Sequence, residues 1–294
     1  DVISIFNGEI YNFKEIKKEL ISKGYKFKTN SDSEVIPVGY RAWGIKFLKK
    51  LRGMFAIFIY DLKIKRIFLA RDQVGIKPLY YFTVNKKIVF ASEIKALINH
   101  SEFKREINFD AVSSYLLHRY TINNESNFFK NIISVKEGSF IEIDLEKNLM
   151  KEDEYFNLRI FPNIKDKGEK YYLELIEERL IQSVKRHLVS DVPISVFLSG
   201  GLDSSLISSI ASKNLKYKLN TFSVGLEETY YDESNYARKV SNYIGSNHKS
   251  IQINKTNFVD NLKEIIRIKS TPVSIPHEFP LYKLSSEIKI KNKV

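Results

Sequence analysis

Two short stretches concentrate residue types suited to chemistry on anions and carbonyls. The first is Ser199-Gly200-Gly201-Leu202-Asp203-Ser204-Ser205. An apolar run at 192–198 leads into it, and a helical spacing through Leu206, Ile207 and Ile210 follows at once. Glycines let the backbone approach an anion closely, and the amide groups opening a helix point at it with the helix dipole behind them. Hydroxyls of Ser199, Ser204 and Ser205 add donors. Asp203 beside a polyphosphate requires an intervening cation, and Mg²⁺ held by its carboxylate would bridge to phosphate oxygens. The plain alternative is a strand–turn–helix corner with serine caps. The Gly-Lys-Ser/Thr of a Walker loop is missing, and no Gly-x-Gly-x-x-Gly occurs.

The second stretch is Phe6-Asn7-Gly8-Glu9-Ile10-Tyr11-Asn12. Asparagine at a strand end followed by glycine supplies one side-chain amide donor and one unhindered backbone N–H. Such a pair stabilises the oxyanion formed when an amide carbonyl is attacked. Glu9 could receive the α-ammonium of an amino acid, with help from Asp32 in Ser31-Asp-Ser-Glu34. Spacing alone fits equally well a tight turn with a nearby helix cap at Ser31 or Ser33.

The elements that must hold these residues are readable from periodicity. A strand is expected over residues 2–6, then a helix with Phe13, Ile16 and Leu20 on one face and Gly24 as its stop. The unbroken apolar run at 54–60 predicts a strand buried on both faces, with further strands at 67–70, 79–82 and 88–91. A polar stretch at 146–169 marks a boundary, placing the domains at 1–160 and 161–294. An amphipathic helix at 170–188 then repeats Leu173, Ile176, Leu180, Val184 and Leu188 as one buried stripe. Strand and helix signals alternate beyond it: strands at 192–198, 221–224 and 248–253, helices at 203–212 and 232–244. That alternation argues for a parallel sheet flanked by helices.

Composition narrows the class. A chain of 294 residues with 43% hydrophobic and 28% charged residues is long enough for two domains. No apolar stretch reaches membrane-spanning length and no leader peptide is evident, so a cytoplasmic protein is expected. The net charge of +12 is carried mostly by lysines spread along the chain, which argues for a solvated surface and no nucleic-acid partner. Zero cysteines exclude disulfides, thiolate metal sites and a cysteine nucleophile within these residues. Because the chain opens with Asp1 inside a strand pattern and ends at Val294 after a helical one, a piece of a longer protein is expected.

The glycine-serine loop resembles the Ser-Gly-Gly-x-Asp-Ser motif of the ATP pyrophosphatases. Asn7-Gly-Glu-Ile-Tyr-Asn12, Ser31-Asp-Ser-Glu34, Gly53-Met-Phe-Ala56, Arg71-Asp-Gln-Val-Gly-Ile-Lys-Pro-Leu-Tyr-Tyr81 and Phe90-Ala-Ser-Glu-Ile-Lys-Ala-Leu97 match in order the glutaminase domain of asparagine synthetases. With the loop and Ser274-Ile-Pro-His277, the resemblance to the glutamine-hydrolysing asparagine synthetase family covers nearly the whole chain. It implies α+β followed by α/β architecture. A layered αββα amino-terminal-nucleophile glutaminase domain precedes a parallel-sheet α/β ATP pyrophosphatase domain, both truncated at the chain ends.

Residue by residue, the resemblance implies an oxyanion hole at Asn7 and Gly8, with glutamine contacts from those two and from Glu9 and Asp32. It implies ATP contacts at Leu198, Ser199, Gly200, Gly201, Leu202, Asp203, Ser204 and Val224, with Asp203 also holding Mg²⁺. Leu198 and Val224 are alternatively plain core residues at strand ends. Arg71, Asp72, Gly75 and Lys77 are read as scaffold, and His248 as structural. The implied substrates are glutamine, aspartate and ATP, and a homodimer is usual for bacterial relatives. In that family an amino-terminal cysteine frees ammonia from glutamine, and aspartate is adenylated and then amidated. The cysteine is expected before Asp1 and a second Gly-Glu-Gly-x-Asp-Glu motif after Val294, so the chain by itself is expected to be inactive. Rival readings are a related amidotransferase of polysaccharide or antibiotic biosynthesis acting on another carboxylate, such as a β-lactam synthetase, and a non-catalytic nucleotide-binding homologue.

Overall fold

The computed structural model describes residues 1–122, 127–158, 165–226, 232–253 and 258–291. The chain divides into two compact units, Asp1–Phe161 with Ile268–Ser274 and Pro162–Arg267 with Ile275–Val294. The expected boundary at 160/161 lies outside the described residues. The polar stretch before it is not all linker, since residues 149–154 form a strand.

In the first unit the order is β1 (Val2–Ile10), α1 (Phe13–Ser22), α2 (Val35–Trp43), β2 (Gly53–Asp61), β3 (Arg66–Arg71), β4 (Tyr80–Val84) and β5 (Lys87–Ala91). Then come α3 (Ile94–Ile98), α4 (Phe109–His118), β6 (Ile133–Ser134), β7 (Ser139–Asp144) and β8 (Leu149–Glu154). One antiparallel sheet runs β1-β2-β3-β7-β8 and a second runs β5-β4-β6. Side-chain alternation along β2 explains the layering. Phe55, Ile57 and Ile59 join Ile16 and Leu20 of α1 and Val35 and Ile36 of α2 in one core. From the opposite face, Ala56 and Phe58 meet Tyr81, Ile88 and Phe90 of the second sheet. The far side of that sheet packs Phe82 against Ile94 and Leu97 of α3. The layers are therefore α, β, β, α, and the unbroken apolar run of β2 follows from burial on both faces.

Arg71 and Asp72 knot the layers together. Asp72, with no exposed surface, accepts backbone N–H bonds from Phe55 at 3.1 Å, Val74 at 3.2 Å, Ile76 at 2.9 Å and Lys77 at 2.9 Å. Arg71 donates to the carbonyls of Lys77, Gly75 and Val135. Gly75 (φ +70) turns the loop between them, and a Cβ there would press on the Arg71 guanidinium. This is the scaffold role expected from the sequence.

In the second unit α5 (Glu169–His187) precedes β9 (Ser195–Phe197), α6 (Leu202–Asn214), β10 (Asn220–Leu226), α7 (Ser234–Ile244), β11 (Asn247–Ile253), α8 (Phe258–Lys269, of which Ile268 and Lys269 are counted with the first unit) and α9 (Glu278–Lys291). The three strands form a parallel sheet ordered β11-β10-β9. The stripe expected on α5 is buried only toward its end. Val184 and Leu188 pack with Ala211 and Leu219, whereas Leu173 and Ile176 are 59% and 55% exposed. They line an open groove of about 810 Å³ with Leu206 and Ile210 of α6. No helix among the described residues is long and apolar enough to cross a membrane.

Candidate functional site

Asn7 and Gly8 lie inside β1, not beyond its end, because the strand continues past residue 6 to Ile10 in unbroken register with β2. Gly8 makes the continuation possible. It has φ +151, and a Cβ there would collide with the Met54 carbonyl. Gly53 is equally tight against the Glu9 carbonyl on the facing strand.

The pairing determines which backbone groups remain open. Leu62 N–H donates to Asp1 O at one end of β1, and Tyr11 N–H to Arg52 O at the other. Antiparallel ladders alternate, so odd-numbered residues of β1 bond β2 and even-numbered residues direct N–H and C=O away from it. Among the described strands β1 is the last of its sheet, so the Gly8 N–H faces an open edge. The neighbouring Ile10 N–H points the same way and is taken by Asp32 Oδ2 at 2.9 Å. Asn7 stands opposite Ala56 and shares its face, toward the second sheet. Its Nδ2 donates to Ser92 Oγ at 2.9 Å, just after β5. Glu9 is exposed on the same face as Asn7. Burial, followed by the negative charges of Glu9 and Asp72, pushes the nearby Tyr11 hydroxyl up from its ordinary pKa.

The structure thus brings Asn7, Gly8, Glu9 and Asp32 to one strand edge, with two amide donors beside two carboxylates. Asp32 also has a structural task, since one oxygen caps the end of β1. Ser31 starts the short 3-10 turn at Asp32–Glu34 by accepting from Ser33 N–H. Glu34 accepts from Lys28 N–H, Thr29 N–H and the Thr29 hydroxyl. Partial burial raises its pKa, but those hydrogen bonds and Lys17 outweigh it and hold the carboxyl below its usual range. Ser92 had no assigned role from sequence. It lies within the motif at 90–97, and only its contact with Asn7 distinguishes it.

In the second unit the glycine-serine loop links β9 to α6 at the carboxyl end of the sheet, where parallel sheets bind ligands. Gly200 has φ +87, and a Cβ there would strike the Tyr236 and Ala237 backbone at the start of α7. Gly201 N–H donates to Ser199 Oγ at 3.2 Å, Ser199 and Ser204 hydroxyls meet at 3.0 Å, and Ser204 Oγ donates to Gly201 O. Gly201 occupies the N-cap, so helix geometry leaves the N–H groups of Leu202, Asp203 and Ser204 without an intrahelical acceptor. Asp203 is exposed in that first turn. No three His, Cys, Asp or Glu residues cluster for a metal among the described residues.

Leu198 is 1% exposed and its N–H donates to Phe222 O, so its side chain belongs to the core. Phe222 pairs with Phe197, and continuing that register by two residues sets half-buried Val224 level with Ser199. Asp232 caps α7 by accepting from Ser234 N–H and Oγ.

His248 bonds Thr221 Oγ1 through Nδ1 at 3.0 Å and Ser223 Oγ through Nε2 at 3.2 Å. Burial, then the Arg238 charge, lowers its pKa from the ordinary value. The unfolded chain consequently takes up the proton first. His248 contributes full stability above about pH 6.5, and the contribution is lost as pH falls through the lower folded value. Melting curves at pH 7.5, 6.5 and 5.5 for the wild type and His248→Gln are expected to converge at the acidic end. Parallel curves would exclude this assignment.

Residues 1–156 match the model for the glutamine amidotransferase domain, and residues 175–294 match the asparagine synthase model. The chain belongs to the glutamine-hydrolysing asparagine synthetase family. The glutamine-hydrolysing asparagine synthetase 1 of Bacillus subtilis is 36% identical over 285 residues, covering 97% of this chain and 44% of that protein. Asparagine synthetase 2 of the same organism is 34% identical over 309 residues, covering 100% of this chain and 41% of its own length. Amidase chry2 of Gibberella zeae is 28% identical over 287 residues, covering 92% of this chain and 42% of that protein. The chain thus spans less than half the length of these three relatives.

Proposed function

We propose that the full-length protein containing this chain transfers glutamine-derived nitrogen to the β-carboxylate of aspartate, using ATP and Mg²⁺ in the cytoplasm. The observation that carries the glutaminase half is the open-edge N–H of Gly8 beside the Asn7 amide. Two such donors suit the oxyanion that forms when a thiolate adds to the glutamine amide carbonyl. Glu9 and Asp32 meet the α-ammonium of that substrate. The thiol belongs to a cysteine outside these 294 residues, and the proton it gives up passes to the departing nitrogen, so that ammonia leaves as the tetrahedral adduct collapses; water then releases glutamate from the thioester and restores the thiol.

In the synthetase half, the first-turn amides of α6, the Ser199 and Ser204 hydroxyls and the closely packed Gly200 suit the phosphates of ATP. Val224 and the backbone of Leu198 border the nucleotide, and Asp203 would hold a Mg²⁺ ion that offsets the phosphate charge. Aspartate attacks the α-phosphorus and expels pyrophosphate. Ammonia then displaces AMP from β-aspartyl-AMP to give asparagine. We propose a homodimer as the working assembly and domains divided near 160/161.

The test is pyrophosphate release by the full-length protein with ATP, Mg²⁺ and candidate acids. Aspartate is expected to support it with glutamine or ammonium as nitrogen source, and no response to aspartate would overturn the acceptor assignment. Other carboxylic acids are tested beside aspartate, and a response to one of them alone supports a different acceptor on the same machinery. The 294 residues alone, with zero cysteines, are expected to release no glutamate from glutamine.

A further inference from the structure

Asn7 supplies a side-chain donor from an exposed position on the last strand of its sheet, where a free amide would rotate about χ2. Its partner comes from the other sheet. Nδ2 donates one N–H to Ser92 Oγ at 2.9 Å, and this bond spans the gap between layers. Ser92 is itself held from both sides. Two residues before it, Phe90 stacks on Phe58 of β2 with ring centroids 4.7 Å apart and planes 9° apart. Two residues after it, Ile94 is buried against Phe82 and begins α3. Strand alternation carries Ser92 to the same side as Ile88 and Phe90, the side facing the first sheet.

From this geometry we infer that Ser92 is the positioning residue of the glutaminase oxyanion hole. It takes one of the two Asn7 N–H groups and fixes the amide plane, so that the other N–H lies beside the Gly8 N–H. This inference rests on the glutaminase reading above and adds a residue to it. Ser92 acts through Asn7 and touches no reacting atom. Its removal leaves both donors present and one of them unaimed. The loss therefore falls on the transition state, where the oxyanion is, and spares ground-state binding of glutamine.

The experiment measures glutamine hydrolysis by the full-length protein for the wild type, Ser92→Ala, Ser92→Thr, Asn7→Ala and the Ser92→Ala/Asn7→Ala pair, with thermal melts alongside. Ser92→Ala is expected to lower kcat roughly tenfold with KM within about twofold, less than loss of the donor itself. Ser92→Thr keeps the hydroxyl and is expected to recover most of the rate. On the Asn7→Ala background, Ser92→Ala is expected to change nothing, because the residue through which it acts is gone. A Ser92→Ala kcat within twofold of wild type overturns the inference, as does a loss that multiplies with that of Asn7→Ala. If Ser92→Ala melts early, failed rescue by a normally melting Ser92→Thr overturns it as well. A wild type that melts normally but hydrolyses no glutamine overturns the glutaminase reading, and this inference with it.

Discussion

Asn7→Ala in the full-length protein is expected to lower kcat for glutamine hydrolysis by about 10²–10³-fold, with KM little changed. The side-chain amide is one of the two neighbouring donors read as the oxyanion hole, the other being the open-edge N–H of Gly8. Alanine removes that donor and leaves the strand intact, since residue 7 is exposed and its backbone remains bonded to β2. Asn7→Asp is expected to lose at least as much, because it puts an acceptor where negative charge develops. Pyrophosphate release fed by ammonium salts is expected to stay at the wild-type rate in both variants, because that chemistry belongs to the other unit. A fall of less than threefold in glutamine hydrolysis would remove Asn7 from the oxyanion hole.

The second large effect concerns stability. Asp72→Ala is expected to cost about 3–5 kcal/mol, in the range seen when one partner of a buried charged network is removed. The carboxylate is fully buried and accepts four backbone N–H bonds, three of them from the loop at 74–77 and one from β2. Alanine strands those amides in a space that the Arg71 and Gly75 contacts keep closed. Asp72→Asn keeps the shape but turns an NH₂ toward donors, and is expected to recover only part of the loss. Urea unfolding of the three proteins decides the matter, and a midpoint for Asp72→Ala close to wild type would refute the hub role. Because the loop also sets the start of β4, early unfolding is expected to lower glutamine hydrolysis only through the folded population.

Much of this architecture is legible in the residues, for identifiable reasons. Residues 54–60 are apolar without alternation because β2 is covered on both faces, and the alternating αβαβ signals after residue 190 yield a parallel sheet. The extent of β1 is not legible. Asn7-Gly8-Glu9 are poor strand formers, and they stay in the ladder because Gly8 tolerates a contact closed to any side chain and Asp32 holds the last amide. Strand β8 is hidden in the same way. Its sequence, Leu-Met-Lys-Glu-Asp-Glu, reads as polar linker, and pairing with β7 makes it an edge strand. On α5 the periodicity is real, but periodicity cannot say which half of a stripe is covered. At the sites, residue types pointed to Asn7, Gly8 and the glycine-serine loop. Ser92 is 85 positions from Asn7, and nothing local in its neighbourhood signals the partner.

The alternating ladder of β1 has a consequence for how this site can change. Side-chain direction and amide direction both repeat every two residues along a strand, so they share one parity. If β1 slips by a single residue against β2, the Gly8 amide enters the ladder and the Asn7 side chain turns to the helix-covered face at the same step. No intermediate setting keeps one donor and loses the other. Insertions or deletions that re-register these strands would therefore act as an on–off switch, silent in steps of two for orientation and complete in steps of one. Natural variation in length is then expected to collect beyond the pairs Val2–Asp61 and Ile10–Gly53 that bound the ladder.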